Sequence, residues 1–367
     1  MSKTLLVTGA AGFIGVNFCN YWLGRYATDR IIGFDILSYA GNRHSLEQAE
    51  LNDRFEFVAG DILDQTLIET LLRDQKVDDI VHFAAESHVD RSITAPDLFL
   101  ETNIMGTHSL LKAARQVWLT EQADGRHRFH HVSTDEVYGT LAPQDPAFCE
   151  TTAYQPNSPY SASKAASDHM VRAYHHTYGL DVTTSNCSNN YGPFHFPEKL
   201  IPLCIINILN GKALPIYGDG QQIRDWLYVE DHCRGIDLVL TNGRAGETYN
   251  IGGNNEKANI DLVNVLCKLV DEKFNNNPEL KQRFPDAPAA NQKTSDSLIT
   301  YVSDRPGHDR RYAVDVSKAH SELGYEPKET FEKGLSKTLN WYLDNENWWR
   351  TVLDGSYREW IDEQYGS

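Results

Sequence analysis

The 367-residue chain has only three methionines and six cysteines. Cys19, Cys149, Cys187, Cys204, Cys233 and Cys267 form no C-x-x-C pair, and no Cys/His cluster has zinc-ligand spacing. That argues against a disulfide scaffold and a bound metal, and reduced, buried thiols are expected. No apolar run approaches the roughly 18–20 residues that cross a bilayer, so no membrane partner is expected. The opening MSKTLLVTGAAG has too short an apolar stretch before its glycines to read as a signal peptide, and a cytoplasmic protein is expected. Positive charge is also scarce: 34 Lys+Arg face 51 Asp+Glu, a net charge of −17. Nucleic-acid binding needs a basic stripe that this balance does not supply.

What remains is globular, with 41% hydrophobic and 23% charged residues. A single core rarely grows past about 250–300 residues, so two parts or one enlarged domain are expected. Candidate strands at Thr4–Thr8, Arg30–Asp35, Phe55–Ala59, Asp79–Phe83, Phe129–Ser133 and Val182–Cys187 alternate with helical stretches near Phe13–Tyr26, Gln65–Asp74, Pro96–Leu119 and Pro159–Tyr178. Repeated β then α predicts a Rossmann-type, doubly wound parallel sheet in an α/β fold. After about residue 190 the alternation weakens. Strands at Ala213–Tyr217, Thr248–Ile251 and Thr300–Val302 mix with helices at Glu198–Asn210, Val229–Asn242 and Asp261–Phe274. Residues 1–190 are thus expected to form one domain, with some later segments returning to it, and 191–367 mainly a smaller α/β domain. Asn275–Ser297, rich in Asn, Pro, Ala and Ser, reads as a surface loop. Trp341, Trp348, Trp349 and Trp360 recur at roughly helical intervals and predict a docked terminal helix.

The first strand runs into Thr8-Gly9-Ala10-Ala11-Gly12-Phe13-Ile14-Gly15, a G-x-x-G-x-x-G turn opening a helix. Glycines there let backbone N–H groups approach a pyrophosphate. Asp35, at the end of the next strand, can accept hydrogen bonds from an adenosine ribose and would repel a 2′-phosphate, which predicts NAD rather than NADP. Tyr160 and Lys164, four residues apart, share a helix face, and a nearby ammonium lowers a phenol's pKa. Tyr/Lys spacing alone is uninformative, but this pair follows the fifth strand, which ends in Ser133-Thr134-Asp135-Glu136. Both segments then meet at the carboxyl edge of the sheet, where open α/β folds bind ligands. Adjacent carboxylates beside a Tyr/Lys pair suggest one general acid and one general base, and so elimination coupled to redox chemistry. Cations at Lys199, Arg224, Arg305 and the dense Asp304–Arg311 loop could neutralise a diphosphate.

Together these motifs resemble the extended short-chain dehydrogenase/reductases and, more narrowly, the dTDP-glucose 4,6-dehydratases. The carriers are TGAAGFIG, SYAGN, FAAESHVDRSI, HVSTDEVYG, SPYSASKAASDH, NCSNNYGPFHFPEKLIP, GDGQQIRDWLYVEDH, ETYNIGGNNEK and DRPGHDRRYA, spread over almost the whole chain. Related epimerases keep the glycines and the Tyr/Lys pair but lack the acid pair, and GDP-mannose 4,6-dehydratases have the Glu without the preceding Asp. Epimerisation or decarboxylation of a nucleotide sugar is the alternative enzyme reading, and a non-catalytic NAD-binding regulator the alternative outside catalysis.

The resemblance implies that Tyr160, aided by Lys164 and Thr134, takes the sugar 4-hydroxyl proton, Glu136 removes the C5 proton and Asp135 protonates the departing 6-hydroxyl. It implies cofactor contacts for Gly9, Gly12, Phe13, Ile14, Gly15, Asp35, Ile36, Leu37, Ser38, Asn42, Asp61, Ile62, Ala84, Ala85, Ser87, Thr102, Tyr160, Lys164 and Asn190. For the nucleotide sugar it implies Ser87, Thr134, Asn189, Lys199, Leu200, Pro215, Ile216, Tyr217, Arg224, Asn259, Arg305 and His308. It also implies a homodimer through a four-helix interface of Pro96–Leu119 and Pro159–Tyr178. Two segments depart from the family pattern: Asn275–Ser297 looks longer and Gly139–Glu150 shorter.

Overall fold

Twelve strands are described in the computed structural model, which covers residues 2–121 and 125–353. They are β1 (Thr4–Thr8), β2 (Arg30–Asp35), β3 (Phe55–Ala59), β4 (Asp79–His82), β5 (Arg128–Thr134), β6 (Val182–Cys187), β7 (Asn189–Tyr191), β8 (Leu214–Tyr217), β9 (Ile223–Tyr228), β10 (Thr248–Ile251), β11 (Glu256–Ala258) and β12 (Ile299–Val302). Seven form one parallel sheet in the order β10-β6-β5-β4-β1-β2-β3. β1, β5 and β6 are almost wholly buried, as expected of strands covered on both faces. The strand order reverses between β1 and β4, and such a switch point opens a crevice at the carboxyl edge. This is the Rossmann-type α/β sheet that the β-α alternation predicts.

Helices cover both faces. Phe13–Arg25 and Val229–Asn242 share a cluster that includes Val16, Phe18, Trp22, Cys233 and Ile236. Gln65–Asp74, the helical stretch 96–121 and Pro159–Tyr178 bury Ile68, Leu72, Leu110, Leu111, Val171 and Tyr174 against the opposite face. Each such side chain contributes about 1.5–3 kcal/mol when fully buried. The stretch expected as one helix is interrupted by π-helical turns at Leu100–Gly106 and Arg115–Glu121. Within the first, Asn103 turns inward, accepting from the Glu86 N–H at 2.9 Å and donating to its carbonyl at 3.0 Å. Apolar spacing carries no trace of that tie.

Beyond residue 190 the chain builds a three-stranded sheet, β11-β9-β7, and a two-stranded one, β12-β8. The sequence carries no strand signal for β7, β9 or β11: β7 and β11 have only three residues each, and Arg224 and Asp225 interrupt the apolar pattern of β9. A separate cluster holding Ile201, Cys204, Leu266, Phe274, Leu335 and Trp349 supports this region. Asn275–Ser297 is not a loose surface loop. It contains the helix Glu279–Arg283 and two 3-10 turns, and Leu280, Phe284 and Ala287 insert into that cluster. The Asn- and Pro-rich composition hid an anchor made of a single i, i+4 apolar pair. Trp341 and the buried Trp349 lie on the helices Phe331–Asp344 and Glu346–Leu353, whereas Trp360 lies outside the described residues. All six cysteines are unpaired, and Cys149 is only half-buried, unlike the other five. No described helix is long and apolar enough to cross a membrane.

Candidate active site

A cavity of about 790 Å³ opens along the carboxyl edge of the parallel sheet and is roofed by segments from beyond residue 190. At its floor lies the glycine turn after β1. Gly9 has φ +71°, and a Cβ there would sit 2.7 Å from the Ala84 nitrogen; a Cβ on Gly15 would sit 2.1 Å from the Gly9 carbonyl oxygen. Only a chain without side chains at both positions can bring the helix Phe13–Arg25 this close to β1. Asp35 ends β2, buried, and its two carboxylate oxygens accept the N–H groups of Ala11 at 2.9 Å and Leu37 at 2.8 Å. It therefore fixes the turn as well as facing the cavity.

The strand-end acids occupy the middle of the wall. β5 finishes at Thr134, and Asp135–Tyr138 form a 3-10 turn over the edge. Asp135 is 1% exposed and keeps an unpartnered Oδ2. Burial, then the charges of Glu136 and Asp225, pushes its carboxyl well above the usual range despite the opposing Arg224. Glu136 is partly exposed to the cavity. Burial raises its pKa too, but Arg305, Arg224 and Lys199 pull in the opposite direction. Both carboxyls are raised, but unequally: Asp135 is held well into the neutral acid, whereas three neighbouring cations limit the rise at Glu136 and keep it the readier of the two to ionise.

Tyr160 and Lys164 stand opposite, on the first turns of Pro159–Tyr178. Ser158 and Ser161 cap that helix reciprocally, Pro159 pre-sets its first turn, and Gly179 ends it in the left-handed region. Lys164 does not lower the phenol as the spacing suggested. Its ammonium donates to the Val132 carbonyl at 2.9 Å, and Tyr160 is pushed well above its ordinary pKa by burial and then by Glu136 and Cys187, with a hydrogen bond from Thr134 opposing. Two further bonds lock helix to strand: Asp168 accepts from Ser133 Oγ at 2.9 Å and lies 3.1 Å from His131 Nε2.

The facing wall is cationic. Arg305 Nη1 reaches Asp90 Oδ1 at 3.1 Å, and Arg224 donates to the carbonyls of Ile223 at 2.8 Å and Asp309 at 3.0 Å. His308 Nδ1 lies 2.6 Å from Asp304 Oδ1, and burial followed by the Arg305 charge pushes the imidazole down to about 4. Asn189 Oδ1, Asn259 Oδ1 and Arg305 Nε are buried without a hydrogen-bond partner. Buried unsatisfied groups on a cavity wall mark a place for a polar ligand.

All but three of the residues singled out from the sequence line this cavity. Leu37 lies behind the wall with φ +57°; Asn42 caps the 3-10 turn Arg43–Leu46, accepting from His44 N–H; Ile216 is buried in the outer core. The sequence reading in turn omitted Tyr39, Glu86, His88, Asp90, Glu198 and Trp226, which also line it. Glu86, His88 and Asp90 lie beyond the end of β4 at His82, Asp90 already inside the helix Val89–Thr94, too far along the chain for the strand-end signal that marks Thr134–Glu136. Among the described residues, no group of three or more His, Cys, Asp or Glu side chains could hold a metal ion.

Residues 6–338 match the GDP-mannose 4,6-dehydratase family model. A dTDP-glucose 4,6-dehydratase of Escherichia coli is 53% identical, over 96% of this chain and 97% of that protein. Among solved structures, a dTDP-glucose 4,6-dehydratase of Streptomyces venezuelae with NAD and TYD bound superposes with a TM-score of 0.84 at 46% identity, covering 95% of this chain and 100% of that one. A UDP-glucuronic acid 4-epimerase of Bacillus cereus shares the fold at TM-score 0.78 and 28% identity, over 93% of this chain and 99% of the epimerase. A shared fold therefore does not choose the reaction, and the identity does: the chain belongs to the GDP-mannose 4,6-dehydratase family and, within it, to the dTDP-glucose 4,6-dehydratases.

Proposed function

We propose that this chain converts dTDP-glucose to dTDP-4-keto-6-deoxyglucose and water, with NAD reduced and reoxidised inside one turnover. The glycine cradle, too tight for a Cβ at Gly9 or Gly15, and the carboxylate of Asp35 fit a dinucleotide. Asn190, Tyr160 and Lys164 would meet its nicotinamide end, and Asp61 and Ile62 its adenine. NAD bound there would supply the hydride acceptor for the sugar C4 and the hydride donor for C6, and its ring cation would favour the Tyr160 phenolate.

The protein's own groups move the protons. Tyr160 takes the proton of the 4-hydroxyl, and the 4-ketone so formed acidifies C5. Glu136 removes the C5 proton, Asp135 gives its proton to the 6-hydroxyl, and water leaves. Glu136 then returns its proton to C5 as C6 is reduced. The proton left on Tyr160 balances the one lost by Asp135, and exchange through solvent resets both. Arg224, Arg305, Lys199 and the unpaired amides of Asn189 and Asn259 would hold the nucleotide diphosphate and sugar. In this reading 1–190 carries mainly the dinucleotide and 191–367 mainly the sugar nucleotide.

The observation that carries the proposal is the deeply buried Asp135 beside the cavity-facing Glu136, the acid and base that elimination needs and epimerisation does not. The test is incubation of the purified protein with dTDP-glucose, without added NAD, with UDP-glucose in parallel, reading nucleotide-sugar mass. Loss of one water from the thymidine substrate alone is expected. Loss from UDP-glucose alone overturns the base assignment, and no loss from either after NAD is added overturns dehydration.

Two copies pair, in this proposal, through 96–121 and Pro159–Tyr178. Leu100 and Met105 on the first of these are 45% and 53% exposed, apolar side chains that water disfavours. Six unpaired cysteines fit a reducing compartment such as the cytoplasm.

A further inference from the structure

The segment 193–199, between β7 and the helix Leu200–Leu209, crosses back over the dinucleotide side of the cavity. At one end it grips the glycine-turn helix: Asn17 Nδ2 donates to the Pro193 carbonyl at 2.9 Å, and the His195 ring stacks on Phe13 at 4.2 Å. At the other end it grips the loop after β2. Tyr39 donates its hydroxyl to Glu198 Oε1 at 3.1 Å and meets Phe196 edge-on at 5.5 Å. Arg91 lies over the opposite side of this cluster, 3.7 Å from the Tyr39 ring centre, and His88 Nε2 is 3.9 Å from Glu198 Oε2. Glu198 is 6% exposed, so the bond to Tyr39 is made largely out of water.

The segment is itself held from behind. Phe194, at φ +64°, packs on Trp341 at 4.6 Å and Trp348 at 5.8 Å, and Tyr342 donates to the His195 carbonyl. Trp348 Nε1 in turn donates to Ser45 Oγ, close to the same loop, at 2.9 Å. Tyr39 and Glu198 are 159 positions apart, and neither takes part in the proton transfers. A residue whose backbone stays in the left-handed region without being glycine needs surroundings that hold it there.

We infer that 193–199 is a clasp, with the Tyr39–Glu198 bond as its catch, that keeps the dinucleotide in the cavity between the oxidation and the reduction of one turnover. The inference rests on the proposed function, whose two hydride movements fail if the reduced cofactor leaves between them. It assigns Tyr39 and Glu198 a retaining role, separate from the chemistry at Tyr160 and Glu136.

The test is the rate at which labelled NAD leaves the purified protein into excess unlabelled NAD, with no sugar present. Tyr39→Phe removes one hydroxyl and keeps the ring; Glu198→Gln removes the charge. Tyr39→Phe is expected to speed release about tenfold, the cost of a buried hydrogen bond; Glu198→Gln is expected to speed it less, since burial already pushes that carboxyl up to about 7 and the amide oxygen still accepts. The double variant is expected to release no faster than Tyr39→Phe, because both changes act on the same bond, one removing its donor and the other weakening its acceptor. A wild type that holds NAD while Tyr39→Phe releases it no faster overturns the clasp alone. A wild type that takes up no dinucleotide overturns the functional reading and the clasp with it. If Glu198→Gln does not fold, Tyr39→Phe decides the matter by itself.

Discussion

At the carboxyl edge of the parallel sheet, the reactive groups sit on strand ends and helix starts that are neighbours in the chain, whereas the wall facing them joins residues as distant as Asp90 and Arg305, 215 positions apart. The first region needs only correct strands and turns: once β5 ends at Thr134, the backbone places Asp135 and Glu136 over the edge. The second is held by the ion pair of Asp90 with Arg305 and by the hydrogen bond between Asp304 and the neutral imidazole of His308. Such contacts are partly exposed and each contributes little to stability alone. A phosphate-bearing ligand can therefore compete for Arg305 at low cost, whereas the strand-end acids are set in place by the backbone. Rigidity sits where protons move and adaptability where the ligand is held.

The largest test of that division is Tyr160→Phe. Loss of a positioned base costs about 10²–10⁴-fold in rate, so kcat is expected to fall by about that factor while NAD content stays unchanged. Retained turnover, read as water loss by mass, would break the claim that chemistry resides at the sheet edge. Trp349→Ala tests the other region. Its indole is fully buried in the outer core and donates to the Tyr342 carbonyl at 2.9 Å, so the substitution is expected to cost about 3–5 kcal/mol in denaturant unfolding. A loss below about 1 kcal/mol would show that the outer core does not depend on its terminal helix, contrary to the burial in the structure.

These two regions were not equally legible. The glycine turn, Asp35 and Thr134–Glu136 could be read directly because the signal is covalent: a strand period, a turn composition, an acid at a strand end. Tyr39, Glu198 and Asp90 could not, since their meaning depends on partners brought close only by the fold. The Lys164 inference failed for a different reason. Helical spacing places Lys164 on the same face as Tyr160, but it cannot say that the ammonium turns to the Val132 carbonyl or that burial dominates the phenol. Composition misled at 275–297, where Leu280 and Phe284 anchor a stretch otherwise rich in loop residues.

The pH dependence sharpens the comparison because it couples the regions. Glu136 must be ionised to remove the C5 proton. Burial raises its pKa and Arg305, first among the neighbouring cations, lowers it. As pH falls through that raised value the base gains its proton, so kcat is expected to drop on an acid limb lying above the ordinary glutamate value of about 4.3. Arg305→Gln removes a cation and so favours the protonated form, moving the limb to higher pH. A kcat profile whose limb stays in place in Arg305→Gln would disconnect the facing wall from the base.

The smallest expected effect concerns two consecutive residues of β8, where side chains alternate between core and cavity. Ile216 is buried in the outer core, and Tyr217 lines the cavity with its hydroxyl donating to Asp90 Oδ2 at 3.2 Å. Removing one methyl group as Ile216→Val should cost about 0.5–1.5 kcal/mol of stability and leave KM for the sugar nucleotide unchanged. Tyr217→Phe should do the opposite, raising KM a few-fold through the loosened Asp90–Arg305 pair with little change in stability. The contrast isolates strand register, because a slip of one residue in β8 would exchange the two outcomes. Equal effects of both substitutions on KM would mean that Ile216 belongs to the binding wall after all.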